Sequence, residues 1–323
     1  MLWRELKARL LSHGSAKLTW GKSAENYLAH SAAGPGAGGR GAVFFASGAH
    51  RVKLSINPAS PIEIVHYGNG AADLLFEGLH VRGNLLESGF HCPDQAFITV
   101  TGSCIFKCRY CNVPRLSRQR KSIPEIIRMV ESVKDRISAI SITSGVQSSV
   151  EEEESYVMDV IRKLTRFGLP IGVAIYPTEE TPDRLRALGV AEVKFNLEAA
   201  TPVLFETMCP GLDYDILWRV LDRSVRLFGR NRVFSNVIIG LGESDEEMKA
   251  CIDKLASRGI IPVLRPLNPV AEMTATPRPS AERIQKIFSL HSQALIAADL
   301  DPRKALTMCT NCCGCDLVPG RDE

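Results

Sequence analysis

The sequence predicts an α/β protein: a partial (β/α)6 barrel preceded by a small N-terminal α+β extension and followed by a C-terminal cysteine-rich tail. Three observations carry this. From about residue 96 onward, apolar β-branched runs alternate strictly with amphipathic helical patterns, six times in succession. Strict alternation of buried strands with helices argues for a parallel sheet, and six such units curl naturally toward a barrel. Before that point the runs are short and interrupted by a Gly/Ala/Pro stretch, and near the end four cysteines fall within seven residues. The expected divisions are 1–95, 96–297 and 298–323.

The first barrel strand is "AFITVTG" (96–102), an apolar run of the kind that makes a buried strand. Ser122 with Glu125 then forms the S-x-x-E capping pattern, and Ile126, Ile127, Val130 and Val133 recur at helical spacing. "AISITSG" is the second strand, and "EEEESYVMDVIRKLTRFG" a helix with Val157, Ile161 and Leu164 on one face and Gly168 at its end. "PIGVAIYP" is the third strand. "TPDRLRALG" is a short helix with Thr181 as N-cap and Pro182 in its first turn, and "VAEVKFNLEA" the fourth strand. "YDILWRVLDRSVRLFG", "ESDEEMKACIDKLASRG" and "SAERIQKIFSLHSQALIAADL" are helices; "RVFSNVIIGLG" and "IIPVLRPLNP" are the strands between them. In such an architecture chemistry sits at the C-terminal ends of the strands.

Residues 1–95 hold a short amphipathic helix (Leu2, Leu6, Leu10) and runs such as "RVKLSI" and "IEIVHY", which suggest a few antiparallel strands. The stretch "AAGPGAGGRG" (32–41) lacks the Lys-Ser/Thr of a phosphate loop and follows no strand as G-x-G-x-x-G, so it reads as a flexible connection.

Composition narrows the function. With 39 Lys+Arg against 36 Asp+Glu, the net charge of +3 over 323 residues points neither to nucleic acid nor to an anionic membrane surface. No run of about 18 apolar residues occurs, and charges interrupt the N-terminal apolar positions, so neither a membrane span nor a signal peptide is expected, and the protein is expected in the cytoplasm. Ten cysteines in a reducing compartment do not make a disulfide framework. Seven of them form two groups; Cys92, Cys209 and Cys251 stand apart and read as small buried hydrophobes.

Cys104, Cys108 and Cys111 form C-x3-C-x2-C in the loop leaving the first barrel strand, with Tyr110 just before the last cysteine. Three thiolates on one short loop can wrap a face of a [4Fe–4S] cluster, leaving one iron open to a small molecule. Structural zinc wants four ligands, commonly two C-x2-C halves, and fits this loop poorly. Cys309, Cys312, Cys313 and Cys315 can supply three or four ligands to a second iron–sulfur cluster, a second [4Fe–4S] cluster being expected; zinc is the alternative, because C-x2-C-C-x-C could close a tetrahedron.

This loop resembles the signature of the radical S-adenosylmethionine (SAM) superfamily, and the resemblance extends over about residues 96–297. It implies that the open iron chelates the amino and carboxylate groups of SAM. An electron, from a reductant such as ferredoxin or flavodoxin, then cleaves the sulfonium, and the 5′-deoxyadenosyl radical abstracts hydrogen from substrate. "ITSG" (142–145) stands where the family often has a G-G-E-like segment, so Ser144 and Gly145 would meet SAM's methionine part through backbone carbonyls. "FNLEAA" resembles the N-x-E/D segment of the biotin synthase and lipoyl synthase branch, which implies that Asn196 and Glu198 contact SAM; on a strand of period two they share a face. "VIIGLGES" is similar to the fifth-strand segment along the adenine, placing Gly240 and Gly242 there, and "PLNP", with Pro266 and Asn268, finishes that pocket. Related enzymes use an Arg after strand four for the SAM carboxylate; here Trp218 lies near that register, and whether Arg219 or another residue serves is open.

The tail cluster and these segments look like the branch that makes C–S bonds, and the overall form is similar to the two-protein lipoyl synthases. The resemblance thus implies sulfur insertion into an octanoyl group, with an auxiliary cluster as sulfur donor. The implied partners are an octanoylated lipoyl-domain carrier protein and a second radical SAM subunit. The basic run Arg115, Arg118, Arg120 and Lys121 could dock an acidic carrier or could be a solvated loop. Alternatives are a radical SAM methyltransferase or a peptide- or cofactor-modifying enzyme, with the tail cluster as anchor or electron relay, and a non-enzymatic iron–sulfur electron carrier. Methylthiolation of tRNA would want a basic RNA-binding appendage, and none is visible.

Overall fold

The computed structural model describes residues 2–20, 24–29, 41–88, 90–116 and 119–323. The glycine-rich stretch, apart from Gly41, and Arg118 of the basic run lie outside them. The chain opens with α1 (Trp3–His13) and six strands: β1 (Ser15–Trp20), β2 (Ala42–Ser47), β3 (His50–Ile56), β4 (Glu63–Gly68), β5 (Ala71–Phe76) and β6 (Leu79–Leu86). Where the sequence suggested a few antiparallel strands, these six close into a small barrel in the order β1-β3-β2-β6-β5-β4. The closing strand is β1, which runs parallel to both β3 and β4, with Ala16 opposite Ile56 and Leu18 opposite Ile64. Closure leaves no unpaired edge. β5 alternates, with Ala72, Leu74 and Phe76 buried, and packs with Val43, Phe45, Leu54 and Ile64. Leu6 and Leu10 of α1 join that core together with Ile284 and Phe288 from the last long helix.

The second unit is a seven-stranded sheet: β7 (His91–Cys92), β8 (Gln95–Thr99), β9 (Ala139–Thr143), β10 (Ile171–Ala174), β11 (Glu192–Lys194), β12 (Val233–Ile239) and β13 (Ile261–Pro266). β8 to β13 are parallel in sequence order, and β7 adds antiparallel to β8. The sheet stays open between β13 and β7 among the described residues, which makes it a partial barrel. Between the strands lie α2 (Ile123–Glu131), α3 (Val150–Leu164), α4 (Thr181–Ala187), α5 (Pro202–Met208), α6 (Tyr214–Phe228), α7 (Asp245–Ser257) and α8 (Ala281–Ala297). Ser122, Ser149, Asp213, Ser244 and Ser280 each cap a helix by accepting from the backbone three residues on. Thr181, read as an N-cap, is instead the first residue of α4, because its hydroxyl is taken by buried Glu154 at 2.7 Å. The short α5, capped by Thr201, follows a fourth strand of only three residues.

After α8 the tail turns back under the sheet and ends in α9 (Met308–Cys312). Phe97, Ser141, Gly172 and Glu192 form one row across four strands, so their side chains share a face. On that face Glu192 accepts from the backbone of Leu306 (2.8 Å) and Thr307 (2.9 Å) and from the Thr307 hydroxyl (2.7 Å). Gln95 clasps the Met308 backbone, accepting from its N at 2.7 Å and donating to its O at 3.0 Å, and Ser141 Oγ accepts from the same N. The tail is thus seated against the strand starts inside the barrel. Gly172 makes room for it: a Cβ there would stand 2.0 Å from Thr307 Oγ1. Gly172→Ala should therefore cost about 1–3 kcal/mol by overpacking, read as a lowered urea midpoint at unchanged slope.

His291 of α8 is buried, and neither ring nitrogen has a partner among the described residues. Burial pushes its pKa down from 6.5 to about 3. The unfolded chain then takes up a proton that the folded one refuses, so stability is full above pH 6.5 and falls as pH drops toward 3, by about 1.4 kcal/mol per pH unit. A His291→Leu chain should lack that part of the slope in denaturation curves recorded across the interval.

Candidate active site

The loop that leaves β8 is zipped to the segment after β9: Gly145 N donates to Thr101 O (2.9 Å) and Ile105 N to Val146 O (2.8 Å). Gly145 is required there, since a Cβ would stand 2.1 Å from Ser103 O. The anchor beneath is Glu153 of α3, which is buried and accepts from Thr101 Oγ1 (2.6 Å), Ser144 Oγ (2.6 Å) and Arg120 Nη2 (2.8 Å). Ser144 therefore has its hydroxyl committed to the scaffold. On the other side Arg109 N donates to Met208 O (2.9 Å), and Glu272 ties Arg109 and Arg115 at 3.0 and 3.1 Å. Arg120 also pairs with Glu152, and Lys121 Nζ donates to Thr99 O. Within the basic run, Arg115, Arg120 and Lys121 thus spend their charge on holding the loop.

Cys104, Cys108 and Cys111 are held on this loop at the C-terminal end of β8, close enough that each of Cys104 and Cys111 feels the charge of Cys108. Burial pushes the Cys104 thiol up and the Cys111 thiol up to about 12, so both keep their protons until a cation displaces them. Cys108 is shifted down, chiefly by a hydrogen bond from the thiol of Cys209, and Cys209 also lies 3.5 Å from the Tyr110 hydroxyl. Cys209, read as an isolated buried cysteine, sits against the three-cysteine loop. Tyr110 itself is buried, and desolvation drives its phenol up.

Glu198 reaches the same region from the fourth strand. β11 ends at Lys194, and Glu198 adopts a left-handed φ of 60°, held by Glu198 N to Asn236 O (2.7 Å) and Ile238 N to Glu198 O (2.8 Å). Asn196 and Glu198 thus meet through this backbone turn, past the regular strand, with Asn196 Nδ2 donating to Glu198 Oε1 at 3.0 Å. Asn236 of β12 donates to the other carboxylate oxygen. Desolvation raises the Glu198 pKa, opposed by Asn236, Lys194, Asn196 and Arg265, and its charge is felt by Cys108, Cys111 and Tyr110. Asn236 was not singled out from the sequence, although a polar residue inside "VFSNVII" is a signal of an interior-facing site.

Gly240 and Gly242 have φ of 106° and 124°, and the turn they make is fixed by buried Glu243, which accepts from Gly240 N (2.7 Å), Leu241 N (2.9 Å) and Arg283 Nη2 (2.9 Å). Pro266 ends β13, and Asn268 Oδ1 accepts from Arg278 Nη1 at 2.9 Å; burial lowers Arg278 to about 10. Trp218 is buried under Lys254 and Arg258, and Arg219 makes an exposed pair with Glu179 at 2.8 Å. Neither joins the group around Glu198.

The second thiol set lies deeper in the same bore. Cys309 Sγ accepts from Lys194 Nζ at 3.3 Å and from Arg265 Nη2 at 2.9 Å. Both cations also act on Glu198, so Lys194 and Arg265 are shared by Cys309 and the Glu198 group. Cys315 is half-buried and feels Arg265, Lys53 and Cys312. Cys313 departs from the others: its thiol donates to Thr310 O at 3.0 Å. Cys92 lies against Cys312, their thiols hydrogen-bonded.

The three thiols on the β8 loop fit an iron–sulfur cluster in donor chemistry, and two buried polar atoms near them, Ser103 Oγ and Asn236 Oδ1, have no partner among the described residues, as atoms awaiting a ligand do. No three His, Cys, Asp or Glu side chains among the described residues gather around the position of one ion. No described helix is long and apolar enough to cross a membrane.

Residues 98–255 match the family model described as the Radical SAM superfamily. The biotin synthase of Pseudoalteromonas atlantica is 24% identical over 65% of this chain and 58% of its own, and that of Chlamydia pneumoniae 27% over 63% and 64%. The chain thus spans less than two thirds of either enzyme. Among solved structures, the FeFe-hydrogenase maturase HydG from Carboxydothermus hydrogenoformans superposes with a TM-score of 0.51 at 20% identity, covering 63% of this chain and 52% of that one. Methylornithine synthase (PylB) gives 0.53 at 15%, covering 68% and 75%, and both show the same fold. The cysteine loop at the first strand end, the partial barrel and these likenesses agree: residues 98–255 are a radical SAM domain, and the chain is similar to the biotin synthases.

Proposed function

We propose that the chain inserts sulfur into an unactivated C–H bond, with an octanoyl group on a lipoyl-domain carrier protein as substrate and a second radical SAM subunit as partner. A [4Fe–4S] cluster on Cys104, Cys108 and Cys111, reduced by ferredoxin or flavodoxin, would supply the electron that splits SAM and yields the 5′-deoxyadenosyl radical. The chain's own residues position the nucleoside and keep water out. Asn196, Glu198 and Asn236 offer hydrogen-bonding groups beside the thiols for the amino-acid part, and the backbone at Ser144 and Gly145 completes that side. The turn at Gly240 and Gly242, with Pro266 and Asn268, forms the adenine side.

The observation that carries the sulfur-insertion reading is the second thiol set in the same bore, with Lys194 and Arg265 acting on both Cys309 and the Glu198 group. A simple electron carrier has no use for the hydrogen-bonding groups of Asn196, Glu198 and Asn236 beside its thiols. The names of the biotin synthases agree with a C–S bond-forming role. The experiment is anaerobic incubation of the chain with SAM, dithionite and an octanoylated carrier, with and without a candidate partner subunit. Mass spectrometry should find sulfur added to the octanoyl chain; 5′-deoxyadenosine with a methylated or otherwise altered product would contradict the reading.

The SAM contacts make a separate prediction. Asn196→Ala or Glu198→Ala should weaken SAM binding about 10- to 100-fold, the loss of one hydrogen bond to a charged group, about 1.5–3 kcal/mol. Iron content should not change. Anaerobic equilibrium dialysis with labelled SAM, beside an iron assay, reads both.

A further inference from the structure

We propose that Cys92, together with Cys309, Cys312 and Cys315, is the thiolate set of the second iron–sulfur site, and that Cys313 stands outside it. This rests on the reading that the tail binds a cluster. The placement of Cys92 is set by backbone geometry. β7 pairs with β8 so that Cys92 lies opposite Gln95, and Gln95 is the residue whose amide clasps the Met308 backbone from both sides. Cys92 is thereby carried to the start of α9, where it is 1% exposed and its thiol meets that of Cys312. It belongs to the same packed cluster as Met308, Cys309 and Cys312.

The local conformation of the tail sorts its own four cysteines. Cys309 and Cys312 are three residues apart on α9 and so lie on one face. Cys313 would follow on that face in a continued helix, but it takes the left-handed conformation, φ 54°, and leaves it. Its N donates to Cys309 O (2.8 Å), its O accepts from Lys7 Nζ (2.6 Å), and its thiol donates to Thr310 O (3.0 Å). Cys315 returns toward Cys312 and Arg265.

The surroundings suit an anion held by these four. Lys194 and Arg265 donate to Cys309; Lys53 Nζ donates to the carbonyl of His91, next to Cys92, at 3.0 Å, while its backbone N binds Gly314 O at 2.7 Å. Lys194 and Arg265 converging on the Cys309 sulfur call for negative charge, and a thiolate-bound iron–sulfur cluster provides it.

The test uses the full chain carrying Cys104→Ala, Cys108→Ala and Cys111→Ala, so that the tail set alone reports. After anaerobic reconstitution, iron, sulfide and the electron paramagnetic resonance (EPR) spectrum of the reduced protein are measured. This parent should hold about four irons. Adding Cys92→Ala should remove most of them, Cys92→Ser should keep iron with a shifted EPR signal because serine leaves an oxygen ligand, and Cys313→Ala should change neither reading. Iron and spectrum unchanged in both Cys92 variants, or lost in Cys313→Ala, would overturn the assignment while leaving the second cluster in place. A parent without iron would remove the second cluster, and this ligand set with it.

Discussion

Replacing Cys104, Cys108 and Cys111 together by alanine should strip about four irons from the chain and abolish 5′-deoxyadenosine formation, with little change in folding. The loop is positioned by groups other than its thiols. Glu153 holds Thr101 and Ser144, Arg109 N binds Met208 O, and Glu272 ties Arg109 and Arg115. The thiols themselves contribute a 3.5 Å contact from Val146 N to Cys104 and the contact of Cys108 with Cys209. Iron assay, chromatography of the nucleoside and a thermal melt read the three quantities. SAM cleavage at the parent rate would remove these cysteines from the reaction.

The alanine variant of Cys309, Cys312, Cys313 and Cys315 should show the opposite split: SAM cleavage retained, sulfur transfer to the carrier abolished. Its tail stays seated, because the bonds that seat it run to the backbone of residues 306–308 and 313–314 and survive truncation of the side chains. What is lost is the sulfur that Lys194 and Arg265 share. Two donors lose an acceptor while keeping the nearby charges of Glu198 and Asp316, a cost of about 1–3 kcal/mol, so the variant should also melt lower, and Cys309→Ala alone should account for most of that drop. Nucleoside chromatography, mass spectrometry of the carrier and differential scanning calorimetry check the three parts. Thiolated carrier from this variant would take the tail out of the sulfur chemistry.

The barrel was legible because each unit declares itself locally: a buried apolar run, then a Ser or Asp that caps a helix of period 3.6. The six-stranded N-terminal barrel was not, since its closure depends on β1 lying parallel to β4, Lys17 opposite Glu63, a pairing across 46 residues that no local pattern announces. The three-cysteine loop and the Asn196–Glu198 pair were legible as motifs. Their supports were hidden by residue type. In "EEEE" a run of acids reads as a solvated helix face, yet Glu153 and Glu154 are buried and hold the loops after β8 and β10. Lys194 and Arg265 read as ordinary charges near strand ends, and Cys92 as a lone apolar side chain. Only the return of the tail into the bore gives these three residues a common neighbour.

The central claim is that sulfur held at the tail reaches a substrate carbon activated at the other thiol set. A single-turnover reaction tests it: the chain is reconstituted with isotopically labelled sulfide and given SAM, one reducing equivalent source and the octanoylated carrier, and the product is weighed by mass spectrometry. The account predicts labelled sulfur in the octanoyl chain, in an amount tied to 5′-deoxyadenosine formed. Thiolated product without label, or 5′-deoxyadenosine formed while the labelled sulfide stays in the protein, would contradict it.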